Sequence, residues 1–369
     1  MNNIRILPVA ILLMLSIFGC NDQKQKAERT DDITLDSTLQ AFVDTTMRSQ
    51  METIGAFEGQ VIVMEVKTGA IKAMVGYKDT GEGLRQADIF AHQQEMGSLA
   101  KVASLLAAME TGRIKLTDEV ETYGGVYHID GQIIRDHNWR RGGYGLLTNE
   151  QALEYSSNIA ICRALQKAFV MNVKKYFAML DAMSYGQPDS ITGIAGLRPS
   201  VYSSPKDSDW VNSRFLWHAI GYERVMAPVQ MLTFYNAIAN GGKMVKPVLH
   251  LSDTAVINEQ IASKENIKEM QSALHHVVSQ GLGRRAETEK TTTSGKTGTA
   301  QIYDDDVISE ESLFHLSFCG YFPSEDPQYS IIVCLNKKGL PASGGGMAGP
   351  VFRRIVEFLC DNSFAPPKS

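Results

Sequence analysis

Apolar positions recur along this chain at two spacings, and the spacing changes several times between its ends. Behind Asp36 or Ser37, residues Leu39, Phe42, Val43, Met47 and Met51 fall at roughly helical intervals and predict a helix through about Glu52. The next stretch, "GQVIVMEVKTGAIKAMVGY", is rich in β-branched residues on both sides of Thr68-Gly69 and predicts two strands joined by a short turn. "SLAKVASLLAAMETG" is Ala- and Leu-rich and predicts a helix that Gly112 stops. In "LTNEQALEYSSNIAICRALQKAFV", Thr148 and Gln151 have the spacing of a capping box, and the helical pattern lapses around Ser156 to Asn158.

Pro228 opens a further helix, "PVQMLTFYNAIAN", which Gly241-Gly242 ends, and another runs from about Lys264 to Ser279 before Gly281. "SGKTGTAQIY", "LFHLSFCGYF" and "QYSIIVCLN" then read as strands, and "PVFRRIVEFLC" as a helix begun by Pro350. The order is helix, two strands, a long helical middle, three strands, helix. It predicts an α+β fold, a five-stranded, mainly antiparallel sheet flanked by the terminal helices, with an inserted all-helical subdomain. Residues 35–363 form one domain on this reading, with 35–95 and 285–363 in a sheet lobe and 96–284 in a mainly helical lobe. No internal repeat or low-complexity tract interrupts it.

Composition narrows the function classes. At 369 residues and 44% hydrophobic, the chain can bury a substantial core. Its net charge of -5 and pI near 5.9 supply no basic footprint, so a nucleic-acid partner is not expected. The eight histidines are scattered, without His-Glu-x-x-His or Cys-x-x-Cys, and no metal is expected. At the N-terminus, Arg5 precedes the apolar run "ILPVAILLMLSIFG", which ends at Cys20 and gives way to polar "NDQKQKAERTDD". The run is short for a membrane span and reads as a signal sequence over 1–20, followed by a linker over 21–34. Ile17-Phe18-Gly19-Cys20 resembles the bacterial lipoprotein box, which implies lipidation of Cys20; an uncleaved membrane anchor is the alternative. Either way the remainder is exported, to a periplasmic or other extracytoplasmic membrane face. Cys162, Cys319, Cys334 and Cys360 match no disulfide framework and read as core thiols.

The segment "TTTSGKTGTAQ" contains Gly-Lys-Thr, the end of a phosphate loop, but Lys290 occupies the position of that loop's first glycine and the Thr-rich continuation suits a strand. Read instead as Lys296-Thr297-Gly298, it joins two other groups. Ser98-Leu99-Ala100-Lys101 puts a hydroxyl and an amine three apart at a helix start, on one face. The lysine can act as base to that serine only if burial or a second cation lowers its pKa, and Lys296 is a candidate for that cation. Ser156-Ser157-Asn158, in a break between helices, offers a proton-shuttling hydroxyl and a substrate-binding amide. Each group alone is common; the three in this order and these contexts carry the signal.

With these motifs the chain resembles the transpeptidase domain of penicillin-binding proteins, closest to the monofunctional, class B type. "DITLDSTLQ", "VKTGAIKAMVG", "IANGGKMVKPVL", "KTGTAQ" and "FCGYFPSEDPQYSIIVCL" extend the likeness over about Asp31 to Asn362. The resemblance implies that Ser98 is the acylated nucleophile and Lys101 its base, that Ser156 relays a proton to the leaving amine, and that Asn158 holds the substrate amide. It further implies that Lys296, Thr297 and Thr299 bind the terminal carboxylate of a D-Ala-D-Ala stem peptide or a β-lactam. The backbone N–H groups of Ser98 and Thr299 would form the oxyanion hole, and Gly298 would leave room for substrate along the strand. No metal or organic cofactor is implied.

Two departures stand out. Leu99-Ala100 replaces the family's Thr-Phe, removing aromatic packing beside Lys101. A tether of about a dozen residues, reaching ~40 Å when extended, stands where class B proteins have a pedestal domain, which keeps the site near the bilayer unless a cell-wall synthesis complex repositions it. A β-lactamase or D,D-carboxypeptidase shares the acylation chemistry, and a β-lactam sensor is the non-enzymatic alternative. "YGQPDSITGIAGLRPS" lacks the glutamate that one β-lactamase group uses, while the group using a carbamylated lysine stays open. Arg135-Asp136 with Trp139 reads as a structural loop near the cleft, His275-His276 as an exposed helix face, and Asp304 to Asp306 as a solvated turn.

Overall fold

The computed structural model describes residues 32–129, 131–170, 172–208, 210–211, 213–302 and 312–364. Cys20, the leader, most of the linker and Asp304 to Asp306 lie outside the described residues. The first described helix, α1 (Ser37–Ile54), begins at Asp36, whose carboxylate accepts from Leu39 N at 2.8 Å, and ends at Gly55 with φ 66°. A cap of this kind is worth about 1 kcal/mol.

The chain then forms β1 (Ala56–Glu65) and β2 (Ile71–Asp79), the hairpin predicted around Thr68-Gly69. A short strand, β3 (Leu84–Gln86), adds to β2, and the C-terminal part supplies β4 (Ser294–Ile302), β5 (Leu313–Phe322) and β6 (Tyr329–Lys338). Their order is β4-β5-β6-β1-β2-β3, antiparallel throughout. The sheet therefore has six strands rather than the expected five. The extra one is three residues of Leu-Arg-Gln with no alternation to read, held only by its pairing with Tyr77 to Asp79.

Both faces of the central strands are covered, which is why they read as nearly continuous apolar runs. Val61 and Val63 of β1 face one cluster with Leu39, Val43 and Met47 of α1 and Phe352 and Ile355 of the last helix, α7 below. Ile62 and Met64, pointing the other way, join the helical part. The helices that matter there are α2 (Lys101–Met109), α3 (Asn149–Glu154), α4 (Asn158–Phe169), α5 (Pro228–Ala239) and α6 (Lys264–Ser279), followed at the C-terminus by α7 (Gly349–Asp361). Buried Asn236 of α5 fastens the two parts: its amide donates to Val66 O at 3.1 Å and its oxygen accepts from Ser330 Oγ at 2.8 Å.

The middle of the chain is not purely helical. It carries small two-stranded units, among them the hairpin Val126–Ile129 with Gln132–Arg135. Asp130-Gly131 between those strands is a strong hairpin signal in the sequence. Cys162, Cys319 and Cys334 are buried free thiols, as expected of core cysteines, whereas Cys360 is half-buried on α7.

Candidate active site

Ser98 lies in a single 3-10 turn, Gly97–Ala100, immediately before α2. Three contacts hold that turn. Gly97, at φ 52°, donates its N–H to Gly221 O at 3.2 Å, and Leu99 O accepts from the Tyr235 hydroxyl at 2.9 Å. Gly221, at φ 101°, comes so close that a Cβ there would sit 1.8 Å from Gly97 O. A half-buried serine is thus presented on a backbone with little freedom to move.

One turn along, Lys101 points inward and is wholly buried. Its Nζ donates to Ser156 O at 2.7 Å and to Ser156 Oγ at 3.2 Å. Burial brings its pKa down to about 8, with Asp136 and the Cys162 thiol pulling the other way. The Leu99-Ala100 variant of the motif therefore does not cost the lysine its burial. Ser156 itself has φ 54°, unusual for a residue with a Cβ, and sits in the break between α3 and α4.

That break is anchored by Asp136, which follows the small hairpin. Its buried carboxylate accepts from Ser157 Oγ at 2.8 Å and from Ile159 N at 3.2 Å, while Ser157 Oγ caps α4 by accepting from Ala160 N at 3.0 Å. The Asn158 amide donates to Arg135 O at 2.8 Å. The structural reading of the Arg135-Asp136 loop holds for Asp136, but its task is specific: it positions Ser156 and Asn158.

On the opposite wall runs β4, the edge strand of the sheet. Lys296 is wholly buried; its Nζ donates to Thr297 O at 3.1 Å and to Thr297 Oγ1 at 3.3 Å. Burial, and then repulsion from Lys101, holds its pKa well below the ordinary lysine value. The two buried amines repel each other, so a charge on either one opposes a proton on the other. Thr299 Oγ1 accepts from Gly344 N at 3.1 Å.

Gly298 is constrained by packing. Opposite it on β5 is Ser317, and a Cβ at 298 would sit 2.2 Å from Ser317 Oγ and 3.1 Å from Leu99 Cγ. The glycine clears the interior side of the strand, where β4 packs on the Ser98 turn.

Ser98, Ser156, Asn158, Thr297 and Thr299 converge on one cavity of about 320 Å³. Lys101 and Lys296 lie beneath it, reaching it through Ser156 and Thr297 respectively. Sequence reasoning missed part of the lining: His137, Tyr222, Leu282 and the Ala342–Ser343–Gly345 corner. His137 Nε2 bonds the Tyr144 hydroxyl at 3.0 Å, and burial plus Lys101 lower its pKa. The run Gly344-Gly345-Gly346 after a strand was the available signal for that corner, because a Cβ at 344 would meet Gly298 O at 2.0 Å.

His275 and His276 are half-buried and hydrogen-bonded, not an exposed face. His275 Nδ1 meets Thr293 O at 3.1 Å, and His276 Nδ1 meets Glu150 Oε1 at 2.7 Å.

The site is a cleft between a helical part and the edge of an antiparallel sheet, with two buried lysines beneath three hydroxyl-bearing segments. The penicillin binding protein transpeptidase domain matches residues 59–357, and the chain belongs to that family. It is 28% identical to penicillin-binding protein PbpB of Mycolicibacterium smegmatis over 91% of this chain and 55% of that one. It is 26% identical to the probable peptidoglycan D,D-transpeptidase PbpC of Pseudomonas aeruginosa over 90% of this chain and 58% of that one. The chain thus spans about half the length of the curated relatives it matches. Among solved structures, the transpeptidase domain of Burkholderia pseudomallei penicillin-binding protein 3 superposes with a TM-score of 0.77 at 23% identity, covering 92% of this chain and 98% of that one. Penicillin binding protein 3 of Mycobacterium tuberculosis, solved in complex with aztreonam, gives 0.75 at 24% identity, covering 91% and 80%.

Proposed function

We propose that this chain is an exported serine D,D-transpeptidase that cross-links peptidoglycan stem peptides through an acyl-enzyme on Ser98. The observation that carries the reading is the hydrogen bond of buried Lys101 Nζ to Ser156 Oγ, one turn from Ser98 at the same cavity. With its pKa near 8, Lys101 is neutral in a useful fraction of molecules at physiological pH.

In the reaction, Ser98 Oγ attacks the carbonyl of the penultimate D-Ala and its proton passes to Lys101 Nζ. The tetrahedral oxyanion is held by the N–H groups of Ser98 and Thr299, one such donor being worth roughly 3 kcal/mol. Ser156 Oγ hands a proton to the leaving D-Ala amine, receiving one from Lys101, and the C–N bond breaks. An acceptor amine on a second stem peptide then attacks the ester, loses its proton along the same path and releases Ser98. Lys296, Thr297 and Thr299 take the terminal carboxylate, and Asn158 takes a peptide amide. The carboxylate supplies Lys296 with the counter-charge it lacks, so Lys296 carries its proton in the complex, and that charge opposes a proton on Lys101. β-Lactams would acylate the same serine.

Cys20 would carry a lipid anchor, with 21–34 as tether, placing residues 35–363 at an extracytoplasmic membrane face within reach of a cell-wall synthesis complex. Incubation with a labelled penicillin and mapping of the adduct tests the catalytic reading. Stable label on Ser98, lost in Ser98→Ala, is expected; rapid turnover would indicate a β-lactamase, and absence of label on folded protein would end the active-enzyme reading. Inhibition of lipoprotein processing tests the anchor, since an unchanged precursor size would argue against lipidation at Cys20.

A further inference from the structure

Outside the cleft, one cluster of side chains has ligating chemistry that the acyl-transfer reading does not use. Glu150 and Glu154 stand one turn apart on α3, and His276 faces them from α6. One ligand atom from each of the three lies within 4.8 Å of the others. Two carboxylates at this spacing repel each other on a helix. Glu154 is buried as a residue, at 6% relative exposure, and its carboxylate has no hydrogen-bond or ion-pair partner among the described residues. Burial, and then Glu150, raise its pKa; His276 pulls the other way.

The frame around these groups is rigid. Glu154 O accepts from Leu282 N at 3.0 Å, and a Cβ at Gly281 would lie 2.5 Å from the same oxygen, so α3 and the end of α6 are in backbone contact. Glu150 N donates to Leu116 O at 3.0 Å. Glu150 and His276 are already joined at 2.7 Å. What the cluster lacks is positive charge for the second, buried carboxylate.

We propose that Glu150, Glu154 and His276 form a three-ligand site for a divalent first-row cation, with zinc the best fit to two carboxylate oxygens and one imidazole nitrogen. Ligand atoms around a tetrahedral zinc stand about 3.4 Å apart, given bonds of about 2.0–2.1 Å. The ligand atoms here lie within 4.8 Å of one another. On binding, the contact of His276 Nδ1 with Glu150 gives way to the metal, which takes the imidazole through a nitrogen lone pair. A fourth position is left for water. The cation would clamp α3 to α6 just before Ser156 and beside Leu282, which lines the cleft, and so would stiffen one wall of the cavity from behind.

The proposal does not depend on the transpeptidase reading, and its test does not use activity. Purified chain, stripped with chelator, is titrated with Zn²⁺ by calorimetry, and with Co²⁺ while the visible absorption is followed. One equivalent should bind, with a rise in Tm and the visible bands of low-coordinate Co²⁺. Glu154→Gln and His276→Asn should each weaken binding at least tenfold with unchanged far-ultraviolet circular dichroism, while His275→Asn keeps wild-type affinity. Glu150→Gln, on the more exposed carboxylate, serves as a second ligand variant should Glu154→Gln not fold. Absence of binding to the wild type would overturn the proposal. Binding that survives both ligand substitutions would overturn it equally, by placing the metal elsewhere.

Discussion

The Asp136 carboxylate accepts from the Ser157 hydroxyl at 2.8 Å, and its second oxygen accepts from Ile159 N at 3.2 Å. One buried acid thereby fixes the break in which Ser156 and Asn158 are presented, and it also offsets part of the cost of burying Lys101.

Asp136→Ala should remove about 2–3 kcal/mol of stability, the loss expected when charged hydrogen bonds are deleted and their buried partners stranded. A shift of Ser156 by an ångström would slow acylation about 100-fold. Acylation by a labelled penicillin, with thermal melts alongside, checks both; a variant that acylates at the wild-type rate would remove Asp136 from the positioning of the site.

Acylation should rise with pH through about 8, where Lys101 loses its proton, and level off above it. The sign follows from the amine acting as base only when neutral. A penicillin acylation rate that stays flat from about pH 6 to 9.5 would count against Lys101 as the base.

Lys296→Met should abolish recognition of the substrate carboxylate and yet stabilise the fold. Burial and Lys101 depress the folded-state amine, so the folded protein binds fewer protons than the unfolded chain, and the penalty grows as pH falls toward the folded pKa. A net stabilisation is expected even after loss of the Thr297 hydrogen bonds. The gain in Tm should be larger at pH 6 than at pH 9; the opposite order would refute this account of the pair.

Gly298→Ala should destabilise by about 1–3 kcal/mol through overpacking against Ser317 Oγ. Ser317→Ala should rescue much of that loss, because the Ser317 hydroxyl is buried without a hydrogen-bond partner and its removal strands nothing. If the double variant melts no higher than Gly298→Ala alone, the obstruction lies elsewhere.

Gly221→Ala forces a Cβ to 1.8 Å from Gly97 O at a φ of 101°, so the Ser98 turn must move or the protein must unfold. A loss of at least about 3 kcal/mol, or a folded protein that acylates poorly, is the expected result. Wild-type stability together with wild-type acylation would show the contact to be looser than it stands here.

Much of this was legible in the chain because it is local. Helix starts at Asp36, Thr148 and Pro228 follow from caps and breakers within a few residues, and the nearly continuous apolar, β-branched and aromatic runs of β1, β5 and β6 mark strands buried on both faces. Ser98, Lys101, Ser156, Asn158 and Lys296 were found because their order and context form a pattern that no single motif carries. The three-residue strand β3 was missed, since nothing in Leu84–Gln86 alternates. Asp136 read only as part of a structural loop near the cleft, because its partner Ser157 is 21 positions away.

Local periodicity and motif order thus determined the elements, the family likeness and the residues to watch. Tertiary structure alone decided which acid anchors the helix break, that Gly298 faces Ser317, and that two lysines and Glu154 are buried. Those matters turn on burial and on distances between remote segments, and an amine's pKa or a carboxylate's need for a cation is set by the surroundings that folding supplies.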